Sequence, residues 1–225
     1  MDFQFHKEVA IPVGNVELNG ELIIPANATA IIIFSHGSGS SRLSPRNQAV
    51  AKYLHRRGFG TLLFDLLTEA EDRSYYNRFD IELLTRRLIG ACEWLAEQPT
   101  TKDCRFGYFG ASTGAASALN AASYQPQIEA VVSRGGRPDL AMDNLENVDA
   151  PTLLIVGGMD HDVLRLNKEA YIRLNCEKKL AVIDGATHLF EEPGKMERVS
   201  ALAADWFEKH LLTRNKAIPA GNVSN

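Results

Sequence analysis

The chain is short of the features that announce a compartment or a partner. It has three cysteines, Cys92, Cys104 and Cys176, odd in number and scattered. That pattern excludes a disulfide framework and offers no metal or redox spacing, so a reducing cytoplasm is the expected location. Cys92 and Cys104 fall in apolar stretches and read as small core residues. No run of eighteen apolar residues occurs, which argues against a membrane span. The first eight residues, Met1 to Glu8, lack a basic segment followed by an apolar one and do not read as a secretory signal. There is no basic block, and the net charge is -4. Nucleic acid is therefore not an expected partner. No internal repeat, low-complexity tract or linker divides the chain. What remains is a chain of 225 residues, 45% hydrophobic and 23% charged. It is long enough for one substantial core, read here as a single domain over 1–212 with a polar tail at 213–225.

Periodicity gives the organisation. Residues 3–11 and 16–24 read as two strands joined at Val13-Gly14-Asn15, the second ending at Pro25. The β-branched run Ala30 to Phe34 reads as a strand buried on both faces. Ser44 and Pro45 predict an N-cap and first helical residue, and Gly58 a stop after Arg56-Arg57. Thr61 to Phe64 is the next buried strand, followed by a polar excursion from Thr68 to Arg78. Ile81, Leu84, Leu88, Ala91 and Leu95 then mark one face of a long helix. Further strands are expected at 104–109, 130–133, 151–157 and 179–183. Helices are expected after residue 114, around 163–174 and from Lys195 to Leu211, the last with Val199, Leu202, Ala203 and Trp206 inward. Alternating strands and helices predict an α/β fold, a mostly parallel twisted sheet of about eight strands with helices on both faces. No insertion is long enough for a large lid domain, so an open mouth is expected.

Gly110-Ala111-Ser112-Thr113-Gly114 is the most informative run. The Gly-x-Ser-x-Gly pattern by itself is a hypothesis. Here a buried strand precedes it and an alanine-rich helix follows it. A serine on so sharp a turn has its hydroxyl pushed out at the top of the sheet, on a strained backbone. Ser112 is the candidate nucleophile, against the plainer reading of a turn serine. Serine is a weak nucleophile and needs a base, which in turn needs a group to fix its tautomer. The turn resembles that of the α/β-hydrolases, a resemblance that implies the chain order serine, acid, histidine. His188 lies in a loop after the strand ending at Ile183 and is the candidate base. His161 comes early in that order, and His210 reads as a surface or helix-capping residue. Asp160 follows the strand ending at Gly157 and is the candidate acid. Asp162 is the alternative, and Asp184 reads as a support for the Gly185 turn.

The tetrahedral intermediate carries an oxyanion that two backbone N–H groups can stabilise. Thr113 N–H, at a helix start, is one candidate. Ser38 N–H, in the loop Ser35-His36-Gly37-Ser38-Gly39, is the other. His36 precedes the nucleophile and reads as a brace for that loop. Arg134 and Arg137, after the strand ending at Ser133, are candidate contacts for an acidic substrate group, as is Arg42, with Arg46 beside it. Arg134 and Arg137 each have the alternative of pairing with a nearby acid such as Asp139.

Taken together, His36-Gly37-Ser38-Gly39, Gly110 to Gly114, Gly157-Gly158-Met159-Asp160 and Gly185-Ala186-Thr187-His188 resemble the α/β-hydrolase superfamily. Within it, the compact size resembles the dienelactone hydrolase family, over about residues 20 to 212. The resemblance implies an α/β-hydrolase fold with Ser112 as nucleophile, Asp160 as acid, His188 as base, Ser38 and Thr113 as oxyanion donors, and no cofactor or metal. One departure is informative: dienelactone hydrolases proper carry cysteine where this chain has Ser112. Thiolate and hydroxyl are activated differently, so the family name is not read as the substrate. The stretches around Gly114, Ser133 to Asp139 and Thr187 to Gly194 resemble a bacterial subgroup found alone or fused to a phosphoribosyltransferase-like domain, which is not expected within these residues. The expected activity is cleavage of a small carboxylic ester through an acyl-enzyme. A thioesterase or acyl transferase would use the same residues. A non-catalytic binding protein on this fold is the alternative of another class. Monomer and homodimer both remain open.

Overall fold

The computed structural model describes residues 3–212, so the predicted tail at 213–225 lies outside the described residues. Eight strands form one sheet: β1 (Phe3–Val13), β2 (Val16–Pro25), β3 (Ala30–Ser35), β4 (Gly60–Phe64), β5 (Arg105–Ala111), β6 (Ile128–Arg134), β7 (Thr152–Gly157) and β8 (Lys178–Ile183). Their spatial order is β1-β2-β4-β3-β5-β6-β7-β8. β1–β2 and β2–β4 are antiparallel and every other pairing is parallel. The predicted α/β-hydrolase sheet is thus present.

Every side chain of β3, from Ala30 to Ser35, is buried. Both faces of the sheet are covered, which is why these strands are continuously apolar. Helices α1 (Pro45–Arg56) and α6 (Lys195–Phe207) cover one face over Ile32, Phe34, Phe109 and Val132. On the other face, α3 (Ile81–Glu97), α4 (Thr113–Ala122) and α5 (His161–Arg173) close over Ile31, Ile33, Tyr108 and Val131. Ser44 accepts the Asn47 N–H at the start of α1, with Pro45 as the first helical residue, and Gly58 leaves the helix at φ 85°. These are the stop and start signals that the sequence carries.

The excursion after β4 is more ordered than its polarity suggests. It holds a short helix, α2 (Glu69–Asp72), closed by a Thr68–Glu71 capping box, and a 3-10 turn at Asn77–Phe79. A second 3-10 segment, Pro138–Asn147, was not legible in the sequence. It lacks a full helical stripe, and Ala141 breaks its helical backbone. His210 departs from the expected surface or cap role: its ring packs on Trp206, centroids 4.5 Å apart, in a π-helical turn that extends α6.

Topology places the site. β3 leads through α1 to β4 on one side, and β4 returns through α3 to β5 on the other side of β3. The carboxyl ends of β3 and β5, paired at Ser35 and Gly110, therefore flank the point where strand order reverses. Ligands of open α/β sheets bind at such a crevice.

Buried His55, on α1, bonds Thr61 Oγ1 through Nε2 at 2.7 Å, and burial pushes its pKa down to about 4. That value lies below the unfolded one, so the native state binds fewer protons between pH 6.5 and 4. Stability is full above that window and falls as pH drops through it. His55→Gln is expected to flatten the pH dependence of Tm over this window; a curve identical to wild type would refute the attribution.

Candidate active site

Ser112 sits between β5 and α4 with φ 52° and ψ -122°. For a residue with a Cβ, this conformation costs on the order of 1–3 kcal/mol, and the surroundings hold it in place. Its N–H donates to Arg134 O at 3.2 Å, and its carbonyl accepts from Ala115 N and Arg137 N, each at 3.1 Å. The two motif glycines are required by close approach. A Cβ on Gly110 would lie 2.4 Å from Ala115 Cα, and one on Gly114 would lie 2.2 Å from Ser35 O and 2.4 Å from His36 O. The start of α4 is thus pressed against the end of β3, and Ser112 stands on the resulting turn.

His188 and Asp160 come together from two neighbouring loops. Nδ1 of His188 lies 2.6 Å from Asp160 Oδ2. The loops are laced by backbone bonds: Gly158 N to Ile183 O and Met159 N to Ala186 O, both 2.9 Å. A Cβ on Gly157 would lie 2.4 Å from Ala186 O, so this glycine too marks a close approach. Asp160 occupies the N-cap position of α5 but makes no side-chain cap bond; its carboxylate turns to His188 instead. Asp162, the alternative acid, is exposed in the first turn of α5. Asp184 is also exposed, and its carbonyl accepts from Lys195 Nζ. His161 begins α5 and is exposed.

Gly135 links histidine and serine. It directly follows Arg134, whose carbonyl holds the Ser112 N–H. A Cβ on Gly135 would lie 3.5 Å from both Cε1 and Nδ1 of His188. The ring edge running from Nδ1 through Cε1 thus lies against the strand end that grips Ser112. With Nδ1 engaged by Asp160, Nε2 is the nitrogen left for other work.

The loop after β3 is held at both ends. Buried His36 accepts the Leu66 N–H through Nε2 at 3.1 Å, so its proton sits on Nδ1, which donates to Gly37 O at 3.0 Å. Burial lowers its pKa and keeps this neutral tautomer. His36 is a brace, as its position predicts. A Cβ on Gly37 would lie 3.1 Å from Ser112 Cβ, so the loop borders the serine directly. Ser38 differs from expectation. Its N–H, assigned to the oxyanion, donates to Thr113 Oγ1 at 2.8 Å. A threonine after the nucleophile carries a second acceptor that the sequence pattern does not reveal. Thr113 N–H, as the first of the helix, has no intrahelical acceptor.

The three candidate arginines separate clearly. Arg137 is bidentate to Asp139, at 2.8 and 2.7 Å. Arg42 donates its backbone N–H and its guanidinium to Asp65, at 2.8 and 3.1 Å. Both are engaged by carboxylates of the chain. Arg134 is buried, and among the described residues its guanidinium hydrogen-bonds only Asn47 Oδ1, at 3.4 Å.

With this geometry in view, the model of the Dienelactone hydrolase family matches residues 18–213. A Mycobacterium tuberculosis protein provisionally named a phosphoribosyl transferase is 55% identical over 206 residues, 91% of this chain and 46% of that protein. The chain thus spans about half the length of that relative. A crystal structure of a dienelactone hydrolase from Anabaena variabilis is 51% identical and superposes with a TM-score of 0.90, covering 92% of this chain and 98% of that one. An esterase of Pyrococcus furiosus, 19% identical, shares the fold with a TM-score of 0.76 over 92% of this chain and 93% of that one.

Gly114→Ala is expected to destabilise the fold by about 1–3 kcal/mol or more through overpacking against Ser35 and His36. Thermal melting reads this directly, and an unchanged Tm would mean that the elbow is looser than these distances.

Proposed function

The chain belongs to the dienelactone hydrolase family, and on that premise we propose that it cleaves a carboxylic ester through an acyl-enzyme on Ser112. The observation that carries this reading is the 2.6 Å contact of His188 Nδ1 with Asp160 Oδ2, joined through Gly135 to the strained turn of Ser112. Asp160 fixes the tautomer with the proton on Nδ1, leaving Nε2 as the base. Ser112 Oγ gives its proton to Nε2 as it bonds the acyl carbon, and the carbonyl π pair moves onto oxygen. The oxyanion is stabilised by Thr113 N–H and the start of the α4 dipole. When it collapses, the C–O bond to the alcohol breaks and Nε2 returns the proton to the leaving oxygen. Water then repeats the sequence on the acyl-enzyme and releases the acid.

The second oxyanion donor comes from the loop at Gly37 and Ser38. Ser38 N–H serves only if Thr113 Oγ1 releases or shares it. The phosphoribosyl transferase name belongs to a protein in which this chain's counterpart is 46% of the length, and the serine, histidine and aspartate geometry favours acyl transfer. Thioesters and acyl acceptors other than water would use the same residues, and paired p-nitrophenyl ester and thioester substrates separate them.

A fluorophosphonate probe is expected to label Ser112 and to add no mass to Ser112→Ala; a folded wild type that stays unlabelled defeats the nucleophile assignment and leaves the binding-protein reading. Asp160→Asn is expected to lower kcat by about 10^4-fold, as loss of the tautomer-fixing acid does in serine triads. Asp162→Asn is expected to stay within a few-fold of wild type, and the opposite ranking would exchange the two acids.

A further inference from the structure

One side chain ties α5 to the Ser112 turn from behind. Asn167 is fully buried on α5, the helix that begins after Asp160. Its Nδ2 donates to two carbonyls, Gly136 O at 3.0 Å and Val163 O at 2.8 Å. Both partners are acceptors, so the amide must face them with its nitrogen. Oδ1 is left buried with no partner among the described residues. An unpaired buried acceptor costs stability, and a leucine would fill the place without that cost. Val163 O lies one turn back in the same helix and takes the Asn167 backbone N–H in any case. The bond that the amide adds is the one to Gly136.

Gly136 is held between two helices. A Cβ on it would lie 2.1 Å from Ser133 Oγ and 2.7 Å from Ala115 Cβ, so the chain here runs against the first turn of α4. Its carbonyl belongs to the Gly136–Arg137 peptide, and the N–H of that same peptide donates to Ser112 O at 3.1 Å. In a trans peptide the C=O and N–H point in opposite directions. Asn167 thus holds one side of a peptide whose other side grips the Ser112 carbonyl. That carbonyl belongs in turn to the peptide whose N–H is that of Thr113. Three donors therefore stand in series: Asn167 Nδ2–H, Arg137 N–H and Thr113 N–H. Hydrogen bonds in series polarise one another, so each strengthens the next. The other donor to Ser112 O, Ala115 N–H at 3.1 Å, comes from α4 itself. The Gly136–Arg137 peptide braces that carbonyl from outside the helix.

We propose that Asn167 is a positioning residue for the oxyanion: through the Gly136–Arg137 peptide it sets the plane of the Ser112–Thr113 peptide, and so the aim of Thr113 N–H. This rests on the ester-hydrolase reading, in which that N–H meets the negative oxygen of the tetrahedral intermediate. It gives α5 two duties. Its start presents Asp160 to His188, and two turns further on Asn167 holds the donor peptide. Asn167 acts through that peptide, so its effect falls on the transition state, where the charge on oxygen develops.

The first test needs no turnover. Amide hydrogen exchange is followed by NMR in wild type and Asn167→Leu, which removes the donor and keeps a branched side chain. Asn167→Ala stands in should Asn167→Leu not fold. The Arg137 N–H is expected to exchange about tenfold faster or more in the variant, relative to the core amides of β5. The second arm measures kcat and KM for p-nitrophenyl butyrate across the pH range. One oxyanion donor is worth about 10^2–10^3 in kcat, so loss of its support is expected to lower kcat by about tenfold. KM is expected to hold, because the lost interaction is made in the transition state. The midpoint of the pH profile is expected to hold as well, because His188 keeps Asp160. An alkyl trifluoromethyl ketone adds a third reading: Ser112 Oγ bonds its carbonyl carbon, the proton passes to His188 Nε2, and the negative oxygen takes the oxyanion's place. Its Ki is expected to rise by the factor that kcat falls. Ala170→Gly, a buried change on the same helix, is the structural control, expected to lower Tm and leave kcat and the Ki unchanged. Unchanged exchange at Arg137, an unchanged kcat, or an equal loss of kcat in Ala170→Gly would overturn the assignment. Faster Arg137 exchange in a protein that turns over no ester would instead overturn the ester reading and keep Asn167 as the support of that peptide.

Discussion

The carboxyl edge of the sheet depends on how closely the start of α4 is pressed against the end of β3. No side chain fits at Gly114, where a Cβ would sit 2.2 Å from Ser35 O. The contact is sealed below by buried Ser35 Oγ and Ser117 Oγ, 2.7 Å apart. It forces the chain between β5 and α4 into the positive φ of Ser112, at a cost of order 1–3 kcal/mol. The same contact fixes the Gly37 loop beside the serine and brings Thr113 Oγ1 to Ser38 N–H. A looser α4 would relieve the strain and lose the alignment of serine, Gly37 loop and helix start together.

The histidine side carries strain of its own. Phe190, two residues after His188, has φ 57°. Left-handed backbone costs a residue with a Cβ about 1–2 kcal/mol. Its ring is 1% exposed and packs with Val199 and Ala203 beneath the loop. Burying a phenylalanine contributes about 1.5–3 kcal/mol, enough to offset the strain. The loop is closed again where Thr187 N–H donates to Glu192 Oε1 at 3.0 Å. His188 thus rides on an anchored loop, which suits the role of base proposed for it. On the acid side, Asp160 gives up the helix cap that an aspartate at that position normally makes. A cap bond is worth about 1 kcal/mol, and its omission is intelligible where the carboxylate has a nearer, charge-assisted partner.

The chain order of strands and helices was legible because it rests on local signals: β-branched runs, the Ser44-Pro45 start, and glycine stops. The turn at Ser112 was legible because strand, motif and helix are contiguous. The approach of Asp160 to His188 was legible as an order of residues along the chain, and its geometry came only with the fold. The 3-10 segment at Pro138–Asn147 escaped because it has no period of 3.6 to detect. His210 was misplaced because polarity was read ahead of spacing: four residues after Trp206 it shares that residue's face and packs on its ring. Ser38 was assigned by analogy of loop position, and its actual partner is a side chain 75 residues away.

The arginines show why charge is the least legible property in a sequence. Arg134 and Arg137 stand three apart, after the same strand, and look interchangeable. Arg137 lies beyond the strand end, where its fork turns back to Asp139 and makes a rigid local clasp. Arg134 is the last residue of β6, and strand alternation puts it on the same side as Ala130 and Val132, under α1. That side is otherwise apolar: Phe34, Phe109, Val50 and Leu54 belong to the same cluster. A leucine there would extend the core but leave buried Asn47 Oδ1, on α1, without the donor that Arg134 supplies. An arginine supplies that donor at the expense of a desolvated charge. Strand alternation thus turns one arginine into the core and leaves the other in a clasp beyond the strand end, a difference that two residues three apart in the sequence do not show.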